Sequence, residues 1–480
     1  MPYRFALLLA LACVASAQAS DVPDGQIDSG YGSVFGRTVI SSFPGLPAPT
    51  PYLGAMATSA SGKTWLFGEF DSFPATAALP IARLISRDGQ LDPAFGGGTG
   101  LLSTTTFPLG GQWYAGFTAL VQPDGKPLLA GFMRTAAGDR GFLCRLNVAG
   151  NFDATFDGDG CREFRAFAFT NEDCIIKDIA LGAPNDAITL VGRCSDRNSS
   201  ARRAFTARIT ATGSIDTEFG GGAGVNLPIL VGSTLNELNA LAMQADGRFV
   251  AVGSTLRATN EYDVAVLQFS NDGSIDPSFA NGAGEALRAL DIAGTLHDFG
   301  TDILVRPDGR ILAAAFAEGF DDDGEIALWQ LDANGTPDAS FGANGLVLGS
   351  ESLVDITTGT PLLGPFFARM RLGIDDLGRA VVAARSGSPV AGSDADVRVF
   401  RFTRTGAKDT KFGYGARGIV DIDNDVAVPG PGSSHDIPTA ISIERGRIVF
   451  GTISIRDSQP HMVTLALQAN HLFADSFESE

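Results

Sequence analysis

The chain has 480 residues, 44% of them hydrophobic and 19% charged, a balance that excludes a disordered chain. A formal net charge of −19 disfavours nucleic acid as a partner, because a phosphate backbone needs clustered Lys and Arg. With 59 glycines and 24 prolines, the punctuation favours many short strands over long helices.

The chain opens as an export signal. Arg4 is followed by an apolar stretch from Phe5 to Val14, too short to span a bilayer, and then by small residues. Cleavage is expected after Ala19, with Ala17 as the second choice. Leu11-Ala12-Cys13 is loosely lipobox-like, but the apolar stretch before it is very short. No later stretch is long and apolar enough for a transmembrane helix, so the mature chain is expected to be exported, periplasmic or extracellular. Four cysteines remain after the signal, an even number that suits an oxidising compartment.

A box then recurs along the whole chain at steps of about 60 to 70 residues. It begins as Gly25-Gln-Ile-Asp28-Ser-Gly-Tyr31 and returns around Asp92-Pro-Ala-Phe95 and Asp153-Ala-Thr-Phe156. It continues around Asp216-Thr-Glu-Phe219, Asp276-Pro-Ser-Phe279, Asp338-Ala-Ser-Phe341 and Asp409-Thr-Lys-Phe412. A degenerate copy with Phe473 and Phe477 ends the chain. Between boxes come an apolar run into a turn (Gln122-Pro-Asp124-Gly125), a second apolar run (Leu128-Leu-Ala-Gly131) and an alternating segment (Val397-Arg-Val-Phe-Arg-Phe402). Asp-Gly between apolar runs marks a hairpin, and period-two alternation predicts a half-buried strand. A fourth short strand follows each box, as in Gly418-Ile-Val-Asp-Ile422.

Seven units of four antiparallel strands describe an all-β fold, a single seven-bladed β-propeller of four-stranded blades. The last unit, Ile437 to Leu467, lacks a fourth strand, and residues 33–41 supply one. The N-terminal strand therefore closes the last blade and removes the open edges. The expected organisation is a signal peptide over 1–19, the propeller over 20–468, and a degenerate box with an acidic tail over 469–480. Strand placement pairs Cys144 with Cys161 and Cys174 with Cys194, each across neighbouring strands.

The box Gly-x-[Leu/Ile/Phe]-Asp-x-x-Phe-Gly, the Gln-Pro-Asp-Gly-Lys turn and the spacing together resemble the delta-60 repeat, a bacterial β-propeller family of unknown function. The resemblance covers nearly the whole mature chain. Tyr31, Asp186, Leu377-Gly378 and the eroded last box depart from the pattern. The family offers no catalytic residues to carry over.

The box carboxylates, Asp28, Asp92, Asp153, Asp216, Asp276, Asp338 and Asp409, read as structural, each capping its own turn, since a site is needed once and not in every blade. Asp153, Asp157 and Asp159 partly match a calcium loop but lack the twelfth-position Glu, where Phe164 stands. The acidic loops at 321–323 and 421–425 read as solvated surface. No cofactor is called for, and Ca²⁺ is the one ion these loops would suit. His297-Asp298 and His435-Asp436 each precede an innermost strand, so they could ring one channel mouth, with Arg369 and Arg371 pointing inward. No GxSxG, HExxH or P-loop motif occurs.

These features describe an exported, monomeric, non-catalytic scaffold that binds a protein or glycan through its loop face or channel mouth. The alternatives are a secreted hydrolase or lyase acting on a polymer around His297, His435 and Arg369, and a calcium-stabilised surface protein.

Overall fold

Each repeat folds as one four-stranded antiparallel sheet in the computed structural model, and seven such sheets are present. The structure describes residues 24–46, 52–69, 79–104, 107–111, 113–182, 186–199, 201–228, 236–258, 261–290, 298–318, 323–354, 370–386, 396–413, 417–424, 434–444, 446–456 and 459–469. The signal segment, His297, Arg369 and His471 lie outside them.

The blades are numbered by their innermost strands. These are Tyr52–Thr58, Trp113–Val121, Glu172–Gly182, Asn236–Met243, Asp298–Val305, Arg371–Ile374 and Ser434–Glu444. In blades 1 to 6 the strands add outward in chain order. In blade 7 the outermost strand is Arg37–Ile40, which pairs antiparallel with Gln459–Gln468 from the far end of the chain. The first box joins the same seam: Asp28 N–H donates to Ala466 O at 2.9 Å and Gly25 N–H to Gln468 O at 2.7 Å. The N-terminal strand thus closes the ring, as the sequence predicts.

The second strand of each blade is apolar on both faces because neighbouring blades cover both. Ile311 to Ala317 in blade 5 are all buried. The alternating third strand departs from its expected half-burial for the same reason. Arg401 sits on Val397–Phe402 yet is 0% exposed. Its charge is met inside the fold, not by water.

Both disulfides form as expected. Cys144 lies directly across from Cys161 in blade 2, and Cys174 across from Cys194 in blade 3. Among the described residues, no helix is long and apolar enough to cross a membrane.

The repeated box is the joint between blades. Its aromatic ring is buried at all seven positions, from Tyr31 to Phe412. The ring of one blade lies against the box glycine of the next. A Cβ on Gly150 would fall 2.8 Å from Phe95, one on Gly273 2.3 Å from Phe219, and one on Gly335 2.7 Å from Phe279. The last contacts close the circle, with Phe412 against Gly25 and Tyr31 against Gly89. These glycines also take positive φ, near 84° at Gly273, so both space and backbone exclude a side chain.

Candidate functional site: channel and loop face

The box aspartates do more than cap turns. In every box, Oδ1 accepts the N–H two residues on, from Gly30 at 3.0 Å to Lys411 at 3.1 Å. The other oxygen meets a cation or amide. Arg83, Arg145, Arg208 and Arg401 donate from the third strand to Asp92, Asp153, Asp216 and Asp409 at 2.6–2.9 Å. Arg248 serves Asp276, Gln330 serves Asp338, and Arg447 serves Asp28. Three of the arginines then reach the following blade: Arg83 to Val148 O, Arg145 to Ala211 O and Arg208 to Asn271 O. Sequence reasoning saw the carboxylate and missed this partner. The signal was there, an Arg in the C-terminal half of the third strand in four repeats.

Asp153, Asp157 and Asp159 go to separate partners. Asp153 meets Lys126 and Arg145, Asp157 meets Arg162, and Asp159 accepts Cys161 N–H at 2.9 Å. Burial alone would raise the Asp153 pKa. Hydrogen bonds from Thr155 and Lys126 and the Arg145 charge outweigh it and hold the carboxyl well below its ordinary value.

The inner strands form the channel wall. Six carry a bulge, and the residue after each bulge occupies the same rung: Ala55, Thr118, Asp178, Ala240, Asp302 and Ala440. Arg371 takes the corresponding place in blade 6, opposite Ala383. All of these except Ala240 line one cavity of about 180 Å³.

The polar members of this rung tie blades together. Thr118 donates to Asp178 Oδ1 at 2.8 Å, and Asp178 Oδ2 accepts Leu241 N–H at 3.0 Å, linking blades 2, 3 and 4. Asp302 Oδ2 accepts Leu372 N–H at 2.9 Å, linking 5 to 6, and Arg371 Nε donates to Thr439 O at 2.6 Å, linking 6 to 7. Burial pushes the Asp302 carboxyl up to about 6; the Arg371 charge opposes this and the Asp178 charge adds to it. Burial lowers the Arg371 pKa against the pull of both carboxylates. Small-molecule sites span roughly 300–1,000 Å³, so this cavity suits water or a small ion better than a sugar.

Of the candidate mouth residues, Asp298 and Asp436 occupy equivalent places at the start of their inner strands, both buried. Each anchors the loop entering its strand: Asp298 Oδ2 accepts Leu290 N–H at 2.6 Å and Asp436 Oδ2 accepts Asn424 N–H at 2.8 Å. Burial pushes the Asp436 carboxyl up to about 7, although its hydrogen bonds favour the charged form. His435 lies on the strand opposite Ile455.

The two faces of the disc differ. On the box face the box connections keep one length in the first four blades, Ile85 to Leu101, Arg145 to Cys161, Ile209 to Val225 and Phe269 to Glu285. On the opposite face the hairpin between second and third strands spans only Thr135 to Gly138 in blade 2 but Arg385 to Val397 in blade 6. Connections between blades there run from Phe164–Glu172 to Val354–Arg371.

One described loop on that face presents an aromatic group. Phe167 is 76% exposed at φ 55°, an unusual backbone for a bulky residue. The buried Glu172 carboxylate holds it there. That carboxylate accepts N–H bonds from Phe167 at 3.1 Å and Ala168 at 2.8 Å, and one from Arg165 Nε at 3.0 Å. Arg165 lies 5.3 Å from the Phe167 ring centroid, and Arg203 5.5 Å from that of Phe169.

The repeats can be matched to a known family. Residues 122–156, 244–279 and 306–341 match the model of a β-propeller domain of unknown function, DUF5122. Each matched segment runs from an inner hairpin turn through the second and third strands to a box Phe. No curated protein matches the sequence. Solved structures that this chain is similar to include a Trypanosoma rangeli sialidase in complex with the inhibitor DANA, 8% identical with a TM-score of 0.41. The match covers 91% of this chain and 60% of the sialidase. The polysaccharide lyase Uly1 is 10% identical with a TM-score of 0.43, covering 93% and 97% of the two chains. The β-propeller domain of the Trilobed protease from Pyrococcus furiosus is 9% identical with a TM-score of 0.38, covering 91% and 100%.

Proposed function

We propose that the protein is an exported, non-catalytic scaffold that binds a protein or glycan on its loop face. The contrast between the two faces carries this reading. The box residues on one face are committed to joints repeated in every blade. The opposite face holds the connections that vary from blade to blade, and variable loops on a rigid scaffold are where binding concentrates.

The channel supports the same reading, because Asp178, Asp302 and Arg371 are engaged in ties between blades around a small cavity. Phe167, Arg165 and Arg203 make the described part of the loop face a platform suited to a sugar ring or a planar polar group. The signal-like N-terminus and two disulfides favour work outside the cytoplasm.

A glycan array and a set of purified extracellular proteins, probed with wild type and the double variant Phe167→Ala, Arg203→Ala, test the proposal. Retained binding by the double variant would move the site off this platform.

A further inference from the structure

Three carboxylates converge where the ring closes. Asp396 precedes the third strand of blade 6, Asp423 follows its outermost strand at Ile422, and Asp436 lies on the inner strand of blade 7. One oxygen of each lies within 4.8 Å of the other two. Ca²⁺ binds oxygens at 2.3–2.6 Å, so two ligands on opposite sides of one ion stand about 5 Å apart. The observed spacing fits a single ion between the three.

A second observation points the same way. Asp436 is 0% exposed, and while its Oδ2 takes the Asn424 N–H, its buried Oδ1 takes no hydrogen bond of normal geometry, the Ser454 hydroxyl across the strand being the neighbouring donor. A buried carboxylate oxygen left without a donor is costly unless a cation meets it. The nearby cation of the fold, Arg37, is committed to other oxygens. Its guanidinium donates to Asn424 Oδ1 at 3.0 Å, Phe35 O at 2.9 Å and Asp423 O at 2.7 Å. With all three carboxyls ionised beside one guanidinium, two negative charges remain, which a divalent ion balances.

We propose that Asp396, Asp423 and Asp436 bind one divalent cation, Ca²⁺ in preference to softer metals, at the seam between blades 6 and 7. Carboxylate-only ligation suits a hard ion. Arg37 belongs to the N-terminal closing strand and grips the Asp423–Asn424 segment. The ion therefore secures the loop that this strand holds, and so reinforces ring closure.

The test is thermal unfolding of the purified protein in EDTA and in 2 mM CaCl2, with calorimetric titration of CaCl2. Wild type should gain about 2 °C or more in Tm with Ca²⁺ and bind one ion per chain. Asp396→Asn with Asp423→Asn should abolish the shift while keeping the Tm measured in EDTA, since two repelling charges are removed. The single exposed substitution Asp423→Asn should weaken binding at least tenfold if the double variant does not fold. Coincident transitions in EDTA and CaCl2 for wild type would overturn the proposal. So would a full Ca²⁺ response in these variants, which would place the ion elsewhere.

Discussion

The ring of Phe219 occupies the space that a side chain on Gly273 would need, leaving 2.3 Å to the nearest ring carbon. Phe219 is in one box and Gly273 opens the next, so one blade sets the shape of its neighbour's turn. Gly273→Ala should cost about 3 kcal/mol or more, combining left-handed backbone strain with overpacking. Gly247→Ala has nearly the same φ, 88°, but its Cβ would meet only Asn271 at 3.7 Å. That substitution should cost about 1–2 kcal/mol. Urea unfolding of both variants measures the difference, and equal losses would show that the Phe contact contributes nothing.

Arg401 is 0% exposed, pairs with Asp409 at 2.8 Å and stacks 4.4 Å from the Phe412 centroid. It also bonds Asp24 from the N-terminal segment, so it joins blade 6 to the closing box. Arg401→Met strands buried carboxylates and should cost about 3–5 kcal/mol. The double variant Arg401→Met, Asp409→Asn should recover part of that loss, which chemical denaturation can resolve as a coupling of about 1–3 kcal/mol.

Acid should weaken the joints. Asp92, Asp276 and Asp338 are held below their ordinary value of 3.8: at Asp92 and Asp338 donors and cations outweigh burial, and at Asp276 the Ser278 hydrogen bonds lead. A depressed carboxyl stabilises the fold above pH 3.8 and loses that contribution as pH falls below it. Asp302 has the opposite sign. Its raised pKa favours the protonated fold, so its contribution is complete below 3.8 and fades as pH rises to about 6. Tm should therefore drop steeply below about pH 4. The wild type should also lose Tm relative to Asp302→Asn between pH 4 and 6. A constant difference between the two proteins across that window would contradict the assignment.

Each disulfide ties adjacent strands, closing loops whose ends are 17 and 20 residues apart. Loops of that size correspond to about 3 kcal/mol. Cys144→Ala with Cys161→Ala should lower stability by about that amount without changing the far-ultraviolet spectrum. An unchanged denaturation midpoint would remove the bridge from the account.

The blades, ring closure and cysteine pairs were legible because each is written as a repeated phrase or an adjacent-strand register. The partner of the box Asp was harder to read. Arg145 and Arg208 lie at the C-terminal ends of third strands, eight residues before their carboxylates, and alternation alone does not tell a buried ion pair from a solvated side chain. Side-chain direction in the channel was also obscure. A bulge in six inner strands breaks period two, so counting along the strand does not place Asp178 and Asp302 on the channel wall. Asp298 and Asp436 look like mouth residues in sequence. Their loop-anchoring bonds to Leu290 and Asn424 depend on how the chain enters the blade, which no local pattern encodes.

The central claim is that the varied face binds and the repeated face builds. Surface plasmon resonance with the first ligand found on the array, using Phe167→Ala with Arg203→Ala and the box-face control Val148→Ser, tests it most directly. Val148 is 54% exposed on the opposite face and should leave affinity unchanged. The loop-face variant should lose at least tenfold. Loss in Val148→Ser with full binding by the loop-face variant would contradict the account.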